Sequence, residues 1–181
     1  ALKLTEILLE SGLPPEGVQC ITGSGGEIGD GLVADRRVRK VTFTGSREVG
    51  DRICRTAGIK KVTMELGSNS PVIVMPDADL DKVATVLAMT GYGNAGQTCI
   101  STQRVLTAKK VYSDLLSSMK PKVEALTTGN QLDEKSKVGP MVKESEAVRV
   151  DEWINEAVRG GARLVAVDVD RLLGRSGLAC D

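Results

Sequence analysis

The stretch "VRKVTFTGSREVGDRICRTAGIKKVTMELGS", residues 38–68, changes its period twice. It opens with a β-branched and apolar run through Val41 and Phe43, which reads as a strand leading into Gly45 and Ser46. Ser46 is a natural N-cap, and "REVGDRICRTAG" continues at helical spacing to a stop at Gly58. "KKVTMELGS" is then a second strand. Working outward, "LKLTEILLESG" is a helix, "GVQCITG" a short strand, and "GSGGEIGDGLVAD" a loop and helix. Downstream, "SPVIVMPDA" reads as a strand and "DLDKVATVLAMTGY" as a helix whose first turn is suitably acidic. "RVLTAKKVY" is a strand, "SDLLSSMKPKVEALTTG" a helix, and "SEAVRVDEWINEAVRGGARLVAV" a long helix followed by a strand. This alternation predicts an α/β fold with a mostly parallel sheet. The tail 168–181 follows neither period.

Composition narrows the function. The 181 residues hold 24 Lys+Arg against 24 Asp+Glu, with no long run of one sign. That argues against nucleic acid or an anionic membrane as the main partner. No apolar run is long enough to span a bilayer, and the N-terminus does not resemble a signal peptide. The chain starts on Ala1 rather than Met, as a piece of a longer protein would. Cys20, Cys54, Cys99 and Cys180 form no CxxC pair, so neither a zinc site nor a disulfide framework is expected, and a reducing cytoplasm is. There is no histidine. That removes Ser-His-Asp triads, Cys-His dyads and HExxH metal sites together, and no metal is expected.

Three local patterns carry possible chemistry. A literal GxGxxA at Gly29, Gly31 and Ala34 falls inside the expected helix, away from the strand-to-helix turn where such a pattern has mechanical meaning. The turn at Gly45 and Ser46 is better placed, because a helix starting there aims its N–H groups and positive dipole end at an anion; an ordinary capped helix would look the same. In "GYGNAGQTCIS", residues 91–101, Cys99 lies among small and polar residues, which suits partial access, although a cysteine taken alone is more often an inert thiol. Cys54 reads as a packing residue. Glu65 ends an apolar strand beside a glycine turn, where a carboxylate is costly unless it is ion-paired or used as a base.

Taken in order, "FTGSREVG" (43–50), "MELGSNSP" (64–71) and "GNAGQTCISTQR" (93–104) resemble the aldehyde dehydrogenase superfamily, over residues 1 to about 166. "DADLD" and "VGP" (138–140) resemble it too. The resemblance implies an aldehyde dehydrogenase-like fold: residues 1–66 as the second half of a Rossmann-like cofactor-binding domain, and 67–181 as the first half of an α/β catalytic domain. It implies oxidation of an aldehyde to a carboxylic acid with NAD or NADP. Cys99 would form the thiohemiacetal and then the thioester, its backbone N–H would help hold the oxyanion, and Glu65 would activate water. Such chemistry needs no histidine. Gly45, Ser46, Val49 and Gly50 would serve the pyrophosphate and nicotinamide side, Gly25 and Gly29 the adenine side, and Leu66 the nicotinamide. Asn94 and Arg104 match structural positions. A small-molecule aldehyde is the implied partner, and a homo-oligomer the implied state of the full-length protein.

Ser68 departs from the family, which usually has a glycine there; at positive φ, serine would strain the turn or shift the loop. The family's ribose lysine and oxyanion asparagine would precede this chain, and its Glu-x-Phe motif would follow it. The isolated chain is therefore expected to turn over weakly if at all. Its other readings are a non-catalytic interaction module and a cofactor-free thiol esterase using Cys99 and Glu65. Thr98 and Ile100 suggest no cation or phosphate clamp beside the cysteine.

Overall fold

The computed structural model describes residues 1–166 and divides between Gly67 and Ser68 into two compact units. The first holds α1 (Leu2–Glu10), α2 (Gly25–Ala34), β1 (Lys40–Gly45), α3 (Arg47–Ala57) and β2 (Lys61–Leu66). β1 and β2 run parallel, in a register from Lys40 opposite Lys61 to Gly45 opposite Leu66. A parallel pair needs a crossover rather than a hairpin, and α3 supplies it. Ser46 caps α3 as expected, its hydroxyl accepting from the Val49 N–H at 3.3 Å. The helix buries Gly50 and Ala57, and α2 buries Val33. An Arg52–Asp30 ion pair joins α3 to α2, and the Lys60 ammonium donates to the Asp35 carbonyl at 2.7 Å. α1 buries none of its residues.

The second unit repeats the plan. β3 (Pro71–Val74) pairs in parallel with β4 (Arg104–Thr107), and the chain between them includes α4 (Leu80–Tyr92). Asp79 caps α4, accepting from the Lys82 N–H at 3.1 Å. Next come α5 (Tyr112–Glu124) and α6 (Glu144–Arg159). Val74, Ala84, Leu87 and Leu115 form a buried cluster with Val72, Val105 and Met119 against it. The apolar positions of β3, α4, β4 and α5 thus meet in one core.

Three expectations about elements change. Residues 17–23, expected as a strand, form none; Gly17 ends a 3-10 turn and Val18 is extended, but no ladder partner lies beside it among the described residues. The strand expected to reach Tyr112 stops at Thr107, and Lys109–Val111 make a 3-10 turn that leads into α5. No strand follows α6 within 162–166, and the rest of that expectation, with the tail, lies outside the described residues. The parallel sheet appears as two separate parallel pairs. No described helix is long and apolar enough to cross a membrane.

Candidate active site

In the first unit, the parallel register brings the sequence-predicted residues of β1, α3 and β2 together. Glu65 lies opposite Thr44, and Leu66 opposite Gly45, at the ends of the two strands where α3 begins. Leu66 also packs on the helix: a Cβ added to Gly50 would meet its side chain at 2.8 Å. Gly50 is therefore glycine for close helix–strand packing, and it is buried there. Gly45 keeps the backbone bare where the Phe43 ring folds over it; an added Cβ would lie 2.4 Å from that ring. Val49 is exposed. Gly25 opens α2 and Gly29 lies one turn on, both with open space where a side chain would go. Gly29, Gly31 and Ala34 all fall inside that helix, so the literal GxGxxA has no turn to act from.

The start of α3 already carries an anion. The Glu48 carboxylate accepts from its own backbone N–H and from the Ser46 hydroxyl, which hold it below the usual carboxylate range. A pyrophosphate there would compete with Glu48, while the exposed Arg47 beside it adds positive charge. Glu65 is exposed on β2 rather than enclosed by apolar neighbours, because every second residue of that strand faces outward.

In the second unit, Cys99 is exposed on the loop between α4 and β4. The backbone before it winds left-handed through three successive residues, Asn94 (φ 53°), Ala95 (φ 55°) and Gly96 (φ 72°). Side chains other than glycine rarely hold this conformation, so the surrounding contacts must impose it. Gln97 supplies several of those contacts. Its amide nitrogen donates to the Asn94 carbonyl at 3.1 Å and the Pro140 carbonyl at 3.4 Å, and its amide oxygen accepts from the Val142 N–H at 2.8 Å. Beyond the cysteine, Ser101 is buried, and its hydroxyl lies 3.0 Å and 3.2 Å from the Thr90 and Gly91 carbonyls at the end of α4. Before the loop, Ser68 reaches the Cys99 carbonyl at 2.8 Å.

Ser68 does not have positive φ, so serine is accommodated without the strain that was anticipated for it. Sequence reasoning missed the anchoring by Ser101 and Gln97. Ser101 bonds to carbonyls ten and eleven positions back, and Gln97 reaches Pro140 and Val142 more than forty positions on; the sequence gives no sign of those pairings. Among the described residues no group of three or more His, Cys, Asp or Glu could hold a metal.

The chain as a whole resembles known proteins in sequence and in fold. Residues 1–175 match the model of the aldehyde dehydrogenase family. The chain is 46% identical over 164 residues to the 3-sulfolactaldehyde dehydrogenase of Priestia aryabhattai, covering 91% of this chain and 34% of that protein. The crystal structure of an NADP-dependent glyceraldehyde-3-phosphate dehydrogenase from Bacillus halodurans, complexed with NADP, superposes with a TM-score of 0.88 at 33% identity. It covers 92% of this chain and 35% of its own. A cysteine-to-alanine mutant of aldehyde dehydrogenase C from Pseudomonas syringae, complexed with NAD+ and octanal, gives 0.88 at 28% identity, over 91% and 34%. The chain thus spans about a third of the length of the relatives it matches.

Proposed function

The chain belongs to the aldehyde dehydrogenase family, and from that premise we propose that it carries the nucleophile and the water-activating base of an NAD(P)-dependent aldehyde oxidation. The observation that carries this reading is the presentation of Cys99. Cys99 is exposed on a loop whose neighbouring residues are tied down on both sides, Gln97 before it and Ser101 after it. A nucleophile needs access, and its loop needs to hold one geometry. An inert packing cysteine needs neither.

In this reading the Cys99 sulfur adds to the aldehyde carbonyl, and its own backbone N–H helps hold the oxyanion. NAD or NADP, when bound, supplies the hydride acceptor. The acyl group then remains on Cys99 as a thioester. Glu65 takes a proton from the water that cleaves it, which releases the acid and frees the thiol. In this reading the cofactor takes the first unit's strand-to-helix turn and displaces the Glu48 carboxylate: Gly45 and Ser46 for the pyrophosphate, Val49, Gly50 and Leu66 towards the nicotinamide, and Gly25 and Gly29 towards the adenine. Gly50 would act through packing rather than contact, since it is buried under Leu66. The relatives' names support a small aldehyde as substrate. The absence of a nucleic-acid partner accords with the balanced charge and a cytoplasmic setting with the isolated thiols; a homo-oligomeric whole protein is what the family resemblance implies.

Cys99→Ala and Glu65→Gln in the enzyme that contains this segment test the assignment. Cys99→Ala is expected to lower NAD(P)H formation at least a thousandfold. Glu65→Gln is expected to retain about one equivalent of NAD(P)H per site and lose steady turnover. Turnover surviving in Cys99→Ala overturns the proposal. A second reading, a non-catalytic association module, is favoured by the wholly unburied apolar side of α1, where Leu2 and Leu4 are exposed. Gel filtration of the 181-residue chain decides it: a monomer across concentrations counts against the module.

A further inference from the structure

We propose that Ser68 is a positioning residue for Cys99, a device that a glycine at that place could not supply; the inference rests on the reading of Cys99 as nucleophile. The argument starts from proton bookkeeping. The Ser68 hydroxyl has one proton, and the Cys99 carbonyl 2.8 Å away can only accept, so Ser68 donates there. The Ser70 hydroxyl lies 2.6 Å from the Ser68 oxygen, which has no proton left to give, so Ser70 is the donor of that pair. The Ser70 N–H also points to the Ser68 oxygen, at 3.3 Å. A directed chain results: Ser70 O–H to Ser68 O–H to Cys99 carbonyl, each link polarising the next.

The chain ties the segment leading into β3 to the peptide that follows Cys99, across 31 positions of sequence. Cys99 otherwise lies between two supports that do not touch it. The left-handed turn ends at Gly96, and the buried Ser101 hydroxyl holds the far side. Ile100, beside the cysteine, is 77% exposed, an apolar side chain held out in water. Freed from Ser68, the loop would gain by folding Ile100 inward, and Cys99 would spend less time presented. The substitution of serine for the glycine usual in the family thus replaces backbone freedom with a tether.

The test uses the purified chain and reads Cys99 itself. Alkylation by iodoacetamide is followed peptide by peptide by mass spectrometry, with the exposed Cys54 as internal reference. Ser68→Ala and Ser68→Gly are expected to slow alkylation of Cys99 at least threefold with Cys54 unchanged. They should also speed amide exchange at Ile100 and Ser101 at least fivefold. Ser68→Thr, which keeps the hydroxyl, should stay within twofold of wild type. Ser68→Gly restores the residue usual in the family, so it guards against a variant that merely misfolds. A Cys99 rate in both Ala and Gly variants within 1.5-fold of wild type overturns the proposal, as does failure of Thr to restore it. Turnover surviving in Cys99→Ala would instead sink the nucleophile reading and leave these rates as they are, so the two failures are distinguishable.

Discussion

Both units are built as strand, helix and parallel strand, yet they bury very different amounts of side chain. In the first, Val33 and Ala57 are the buried apolar residues among those described, and α1 adds none. In the second, α5 lies against α4 and closes a cluster of Val74, Ala84, Leu87 and Leu115. The βαβ plan therefore does not decide how firmly a piece holds; a further helix laid against the crossover does. A two-stranded sheet with one thin cover is marginal in water, whereas the second unit has a core of its own. The second unit also holds every described non-glycine residue with positive φ, Asn94 and Ala95. Strain persists where surrounding structure can impose it.

The strongest way to break this comparison is at Leu87, which is 2% exposed. Leu87→Ala is expected to cost about 2–5 kcal/mol. Hydrogen exchange should then show the β3–β4 amides losing protection while the β1–β2 amides keep theirs. Equal loss in both pairs would mean that the two cores are one. A smaller effect sharpens the contrast at the caps. Ser46→Ala and Asp79→Ala each remove a side chain that accepts from a first-turn N–H, at about 1 kcal/mol. In the first unit that loss is a larger fraction of the whole, so circular dichroism should show Ser46→Ala melting helix at lower temperature than Asp79→Ala does. The reverse order would place the weaker unit at the other end of the chain. The smallest effect runs the other way: Ala95→Gly relieves a left-handed alanine and should stabilise the second unit by up to about 1 kcal/mol. No gain in a thermal melt would show that the turn stores no strain.

The acid limb offers a test of the first unit. Arg37 donates to the Asp35 carboxylate through its guanidinium and its backbone N–H, and holds it far below the usual carboxylate range. The folded value lies below the unfolded one, so this contribution is present above the ordinary value of 3.8 and fades as pH falls below it. Asp35→Asn should flatten the acid limb of the first unit's melting curve. An unchanged limb would show that the contact is too solvated to matter.

The pattern that was legible was local. The period of Val41 to Thr44, the Ser46 cap and the helical spacing of Arg47 to Ala57 each lie within a few residues, and the structure shows them as read. Residues 17–23 misled because strand-like composition does not provide a ladder partner. At the candidate site, Cys99 and Glu65 stood out by their neighbours in sequence. Their surroundings did not: Ser68 meets Cys99 across 31 positions, and Gln97 meets Pro140 across 43. The exposure of Glu65 was also unreadable, since an apolar-looking strand end says nothing of which face is covered.

The two parallel registers also set a timetable. Lys40 pairs with Lys61, 21 residues later, whereas Pro71 waits for Arg104, 33 residues later. A ribosome adding about 5–20 residues per second leaves β1 without its partner for roughly one to four seconds, and β3 for roughly two to seven. During that wait each strand shows a bare edge to whatever else is being made nearby. The better-packed unit is thus the one whose first strand stays longest in the company of strangers.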